Sequence, residues 1–198
     1  MATAPQEQQV PTRERILYAA AELFRRQGYG GTGVKQVITQ AQAPFGSLYH
    51  FFPEGKEQLG EEVLRVGGRF FLTLFETIAD AAPDLETGTR EFFTGAGETL
   101  TATDFLDACP IGTVAGEVAS THERLRVAAD EAFESWVRAF AVRAEAAGVA
   151  PEPARALGLQ LVALIEGAFL LSRAARSTEA MAAAGDAATA LVAAALAR

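Results

Sequence analysis

Apolar residues recur along this chain at every third or fourth position, the spacing that places them on one face of an α-helix. Ile16, Leu17, Ala20, Leu23 and Phe24 make such a stripe over 12–27, with Arg13, Glu14, Glu22, Arg25 and Arg26 mostly off it. Thr12 suits the start of that helix as a cap, and Gly28 its end in a left-handed conformation. Leu59, Val63, Val66, Phe70, Phe71, Leu74, Phe75 and Ile78 carry the period over 56–82, where Pro83 stops it. Further helices are expected over about 86–102, capped by Asp84 or Thr87, and over about 111–119. Ser120-Thr121-His122-Glu123 matches a capping box, so another helix starts there and runs to about 147. Two more follow over about 154–175 and about 178–197, the last capped by Ser177. Sustained period-two alternation and Asn-Gly or Asp-Gly hairpin signals are missing, which makes the fold all-α, with about nine helices.

The stretch from Gly33 to Leu59 breaks this regularity. Val34, Val37 and Ile38 share one face of a short helix for which Thr32 is the expected cap. Pro44 disfavours helical geometry at Ala43 and suits the first position of a new helix. That helix has only about two turns before Pro53 and Gly55 end it. Leu48, Phe51 and Phe52 form its apolar side, while Ser47, Tyr49 and His50 carry hydrogen-bonding groups on the other. So short a helix is not stable alone. Two short helices with a tight break fit a helix-turn-helix, whose second helix enters the DNA major groove. An ordinary helical corner has the same spacing.

The last two helices are apolar on more than one face. Leu157, Leu161, Leu164, Ile165, Ala168 and Leu171 on the first meet Ala184, Ala188, Leu191, Val192 and Ala195 on the second in the expected arrangement. A helix apolar on several faces is buried on several faces. A four-helix interface between two copies of the chain, made by this pair, satisfies that need.

Composition adjusts this picture in two ways. At 198 residues and 49% hydrophobic, the chain has ample material for a core, which excludes global disorder. A net charge of −8 argues against nucleic-acid binding until its distribution is read. Residues 1–60 hold six basic and five acidic side chains, a net +1; residues 61–198 hold 11 and 20, a net −9. Both lysines, Lys35 and Lys56, lie in the first part. The single cysteine, Cys109, forms no internal disulfide, which fits a reducing cytoplasm. Residues 1–10 read as a flexible polar tail rather than a signal sequence, and no uninterrupted apolar run predicts a membrane span.

The pattern Thr12-Arg13, Ile16-Leu17, Ala20-Ala21, Leu23-Phe24, Gly28-Tyr29, Thr32-Gly33-Val34, then Gly46-Ser47-Leu48-Tyr49-His50-Phe51-Phe52 and Lys56-Glu57, resembles the TetR family of transcriptional regulators. The resemblance covers about residues 12–59. Cys109-Pro110-Ile111-Gly112, followed by Glu117, is more weakly similar to a subgroup whose members regulate drug-efflux and oxidoreductase genes. The resemblance implies a DNA-binding domain over 11–58 and a ligand-binding and dimerisation domain over 59–198. It implies a homodimer that represses from a palindromic operator and leaves it when a small molecule binds. Thr32, Gly33 and Lys35 would then meet phosphates, and Phe45, Gly46, Ser47, Tyr49 and His50 would face the groove. Lys56 would clamp a phosphate at the start of its helix. Three departures stand out: Phe45 replaces a common Lys or Arg, Phe51 a common His or Tyr, and the Pro53-Glu54-Gly55 link is one residue longer than usual. Fewer phosphate contacts, and weaker non-specific affinity, are the expected result.

The second domain is rich in aromatic residues. Phe70, Phe71, Phe75, Phe92, Phe93, Phe105, Phe133, Trp136, Phe140 and Phe169, with Cys109 and Ile111, are either plain core or partly the lining of an apolar cavity for a lipophilic or aromatic effector. Gln160 and Glu166 interrupt an apolar helix, and each needs a partner there: the ligand, or an arginine for Glu166. Cys109 reads as a small buried hydrophobe or a redox switch, His122 as a helix-end residue. Neither has metal-ligand spacing around it, and no cofactor is expected. An enzyme is disfavoured, because there is no Gly-rich phosphate loop and no Ser/His/Asp or Cys/His arrangement. A ligand-binding dimer that no longer reads an operator is the other alternative.

Overall fold

The computed structural model describes residues 10–197, so the tail expected over 1–10 lies, Val10 apart, outside the described residues. Helices form where the apolar period sets them: α1 Thr12–Gln27, α2 Val34–Gln40, α3 Ser47–Phe51, α4 Lys56–Ala81, α5 Leu85–Ala102, α6 Pro110–Val118, α7 Glu123–Ala146, α8 Pro151–Ala175 and α9 Glu179–Leu196. The described residues contain no strand.

Helix ends depart from the expected caps. Pro11, not Thr12, occupies the N-cap of α1, and Gly33, not Thr32, that of α2. The Thr32 hydroxyl instead donates to the Gly28 carbonyl at 2.7 Å, and its side chain is buried. Gly28 has the positive φ expected of it, but its ψ of 173° is extended rather than left-handed helical. Pro44 does not open α3; a turn comes first, with the Ser47 N–H on the Pro44 carbonyl, and Gly46 is the N-cap. The capping box at Ser120 does not form. Thr121 and His122 fold back onto the Val118 carbonyl, α7 begins at Glu123, and Glu123 pairs with Arg126. Asp84 does cap α5, accepting from the Thr87 N–H at 2.7 Å.

Four helices finish in the same way, α5 among them, with Asp104 at φ 50° donating to the Thr101 carbonyl and Phe105 to that of Leu100. After α2, Gln42 at φ 50° donates to the Thr39 carbonyl and Ala43 to that of Ile38. Gly148 after α7 and Arg176 after α8 repeat the pattern. This is the Schellman arrangement, in which one residue with positive φ satisfies the last carbonyls of the helix. It makes the break between α2 and α3 tight without a glycine.

The C-terminal helices are built on close crossings. A Cβ on Gly68 of α4 would lie 2.7 Å from that of Ala132 on α7, and the Trp136 indole N–H donates to the Gly68 carbonyl at 2.9 Å. A Cβ on Gly158 of α8 would lie 2.4 Å from the Val137 carbonyl oxygen of α7. α9 crosses α5 with Gly185 against the Phe93 side chain.

These crossings change the expected interface. Leu157, Leu161, Ile165 and Ala168 of α8, and Ala184, Ala188 and Val192 of α9, are buried within the single chain. Within the chain α8 packs on α7 and α9, and α9 also on α5, so these buried residues are not free for a second copy. Of the residues expected there, Leu171 is exposed and Leu164, Leu191 and Ala195 are half-buried. The open face also carries Leu159, Ala163, Ala187 and Ala190. By length and composition α8 and α9 are each apolar enough to cross a membrane. Here that apolarity is shared between the buried face and an alanine-rich outer one.

Candidate nucleic-acid interface and ligand chamber

α3 has five residues and is held from beneath. Leu48 and Phe52 are fully buried against the core of α1, α2 and the start of α4, formed by Ile16, Phe24, Val37 and Leu59. With those two anchored, Phe45, Gly46, Tyr49 and His50 are exposed and Ser47 is half-buried. The Phe45 and Tyr49 rings lie 6.4 Å apart, an exposed aromatic pair. Phe51 is half-buried and edge-on to His50 at 4.7 Å. An exposed phenol, imidazole and hydroxyl can hydrogen-bond to base edges or phosphates, and Phe45 offers an apolar surface to a thymine methyl. On α2, Gly33, Lys35, Gln36, Thr39 and Gln40 form a shallow exposed trough. Lys35 has no ion-pair partner among the described residues, whereas Arg13, Arg25 and Arg26 are each paired with a carboxylate. Gln36 and Thr39 had no distinguishing signal in the sequence; their place on the outward side of α2 appears only once α1 is docked.

Two expected phosphate ligands are occupied elsewhere. Thr32 is buried, as described above. Lys56 turns inward: its ammonium donates to the Tyr29 carbonyl at 2.7 Å and lies 4.0 Å above the Tyr29 ring. Partial burial holds its pKa below the ordinary lysine value, against the opposing pull of Glu117. Lys56 therefore fastens α4 to the α1–α2 loop.

Tyr29 is the centre of that junction. Its buried ring meets Phe24 at 5.4 Å and His122 at 5.1 Å, both edge-on, and a Cβ on Gly60 would lie 3.0 Å from it. Burial, with Glu57 nearby, raises the Tyr29 pKa. From α6, Glu117 reaches the same loop and accepts the Gly30 N–H at 2.7 Å. The φ of 79° calls for glycine at Gly28, and a Cβ there would lie 1.6 Å from Glu117 Oε1 and push that carboxylate off the loop. Arg124 on α7 adds a second tie, bonding Glu61 of α4 at 2.9 Å and also Glu54. Tyr29 and Glu117 stood in the sequence patterns, but nothing there showed that they meet.

The C-terminal aromatics divide. Phe71, Phe75, Phe92, Trp136 and Phe140 stack on one another, with Phe75–Phe140 at 3.9 Å and Phe71–Trp136 at 4.2 Å; Phe93 is buried beside Phe92. Rings in such contact fill the space between α4, α5 and α7, so they are core rather than cavity wall. Phe70 is exposed on α4, Ile111 is fully buried, and the Phe105 carbonyl accepts from Arg173. Gln160 lies on the exposed side of α8 beside Ala187 and Leu191, away from the remaining candidates. Those do come together: Cys109, Phe133, Glu166 and Phe169, with Gly112, Thr113, Leu170 and Arg173, line a chamber of about 360 Å³ between α6, α7 and α8. A wider open groove of about 650 Å³ lies between α5 and α9, with Phe93 as its one expected member.

Glu166 sets the chemistry of the chamber. Its Oε2 lies so close to the first turn of α6 that a Cβ on Gly112 would sit 2.0 Å away. Its Oε1 is buried and accepts no hydrogen bond. Burial pushes its pKa up to about 7, with the Cys109 thiol pulling the other way. Burial and the nearby Glu166 hold the Cys109 thiol well above the ordinary range, which disfavours thiolate formation and the redox reading.

Residues 16–63 match the model of bacterial regulatory proteins of the tetR family, and residues 86–187 that of the C-terminal domain of LmrA/YxaF-like transcriptional regulators. The HTH-type transcriptional regulator YxaF of Bacillus subtilis is 36% identical over 81% of this chain and 84% of its own. LmrA of the same organism, also an HTH-type transcriptional regulator, is 34% identical over 84% of this chain and 89% of its own. A crystal structure of a TetR transcriptional regulator from Legionella pneumophila superposes with a TM-score of 0.81 at 23% identity, covering 91% of this chain and 97% of that one.

Proposed function

The chain belongs to the TetR family of transcriptional regulators, and from that membership we propose a ligand-responsive repressor that binds a palindromic operator as a homodimer in the cytoplasm. The family is one of DNA-binding regulators, not enzymes. Each protomer reads one half-site with Phe45, Ser47, Tyr49 and His50 of α3, while Gly33 and Lys35 of α2 hold the backbone. Two copies join through the open faces of α8 and α9, where Leu164, Leu171, Leu191 and Ala195 meet. A dimer seated across a promoter excludes polymerase from it.

A lipophilic effector enters the chamber of Cys109, Phe133, Glu166 and Phe169. The observation that carries this reading is the position of α6. Its first turn forms one wall of the chamber at Gly112, and its last turn holds the α1–α2 loop through Glu117. Gly112 and Glu117 are five residues apart on the same helix, about 7.5 Å of rigid rise. A ligand that displaces Gly112 moves Glu117 with it, and α3 is anchored on the domain that this loop joins. Such a shift needs only a difference in ligand affinity between the two α6 positions.

Fluorescence anisotropy with the DNA flanking its own gene tests the proposal. Binding should fall with salt, with a modest slope of about −2 for one lysine contact per protomer, and addition of the effector should release the DNA. Affinity that stays flat between low and high salt overturns the phosphate-contact assignment.

A further inference from the structure

The chamber contains one group that an apolar ligand would leave unsatisfied. Glu166 Oε1 is buried and without a hydrogen-bond partner. Around it stand the Cys109 thiol and Gly112 from α6, the Phe133 ring from α7 and the Phe169 ring from its own helix. The one cation lining the chamber is Arg173, and its guanidinium is committed to the carbonyl oxygens of Phe105 at 3.2 Å and Leu106 at 3.1 Å. No ion pair to Glu166 forms among the described residues. α7 brings no titratable side chain to the lining, and α6 only the thiol.

A carboxylate in such surroundings gains from a partner that supplies both a donor and a positive charge. A hydroxyl supplies the donor alone and leaves the charge in apolar surroundings. The ring faces of Phe133 and Phe169 favour a cation further, since an aromatic face carries negative charge density. We propose that the effector of this chamber is a lipophilic amine bound in its protonated form, its ammonium N–H donating to Glu166 Oε1 and its hydrocarbon part lying on Phe133 and Phe169. The inference rests on the reading of this chamber as the effector site. Burial raises the pKa of Glu166 to about 7, so amine binding strengthens as pH rises through that value and the carboxylate ionises.

Direct binding to the full chain, without DNA, tests this. Three probes of one shape serve: phenylbutylamine, phenylbutanol and butylbenzene. Trp136, the single tryptophan, stacks edge-on to Phe133 at 5.4 Å and reports occupancy by fluorescence. At pH 8 the amine should bind at least about tenfold tighter than the alcohol, and the gap should close towards pH 6. Glu166→Gln should erase the preference while binding butylbenzene at least as well as the wild type, which also shows that the variant is folded. Equal affinity for amine and alcohol in the wild type, or a preference that survives Glu166→Gln, overturns the cation while leaving the chamber as a ligand site. If none of the probes binds, the chamber reading falls as well.

Discussion

Glu117, on the last turn of α6, accepts the Gly30 N–H at 2.7 Å across 87 residues of sequence. That bond ties the C-terminal helices to the loop that sets α2. Glu117→Ala should therefore still bind small molecules in the chamber, while its operator affinity responds less to them. Anisotropy titrations with and without ligand check this; an undiminished response would mean that the signal travels another way, through Arg124 for example.

Lys35 and Lys56 should separate in a salt titration. Lys35→Ala should lower the slope of log affinity against log salt by about 1, as loss of one phosphate contact requires. Lys56→Met should leave the slope unchanged and lower thermal stability, by about 1 kcal/mol, since it loses the Tyr29 carbonyl and ring. A slope change for Lys56→Met would return that residue to the DNA.

Glu166 predicts a stability profile. Its folded pKa is raised from 4.5 to about 7, so folding favours the protonated acid. That contribution is full below pH 4.5 and is lost as pH rises through 7. Between pH 5 and pH 8 the wild type should lose about 2.5 kcal/mol relative to Glu166→Gln. Urea unfolding of both proteins at the two pH values measures it, and a constant difference would place the carboxylate in contact with water.

Gly158 and Gly95 should respond oppositely to alanine. At Gly158 a Cβ meets the Val137 backbone oxygen at 2.4 Å, and α7 and α8 must separate, costing about 1–3 kcal/mol. At Gly95, within α5, nothing lies within 4 Å, and Gly95→Ala should stabilise by about 0.5–1 kcal/mol. Chemical denaturation of the pair tests whether that helix contact is as close as described.

Cys109 should resist thiol reagents. It is buried and held in the thiol form. Ellman's reagent should label it slowly in the native protein and at once in guanidinium chloride. Rapid native labelling would restore the redox reading.

Periodicity located the long helices, because each buries an apolar face, while α2 and α3 had to be read from the proline and glycine breaks around them. The caps misled at Thr12, Thr32 and Ser120, where a side chain able to cap has a competing bond or a chain that turns early. The outward residues of α3 could be read because Leu48 and Phe52 mark its inner side. The interface and cavity residues could not be separated in the same way. A leucine on α8 looks alike whether it meets α7 or a second copy, and an aromatic ring looks alike whether it meets another ring or a void. Only the three-dimensional arrangement puts Leu161 inside and Leu171 outside, or Phe75 in the core and Phe169 at the chamber. Lys56 shows the same limit for charge, since one ammonium serves a phosphate or a carbonyl equally well.

The junction at Tyr29 draws its parts from four separate stretches: Tyr29 and Gly30, Lys56 and Gly60, Glu117, and His122 to Leu125. A chimeric regulator cut after residue 58 would carry Tyr29, Gly30 and Lys56 onto a scaffold without Glu117 or His122. The transplantable unit of this protein is thus discontinuous: the reading head together with the last turn of α6 and the first of α7. If α3 reads the operator as proposed, redrawing Phe45 to His50 in place is simpler than exchanging the head.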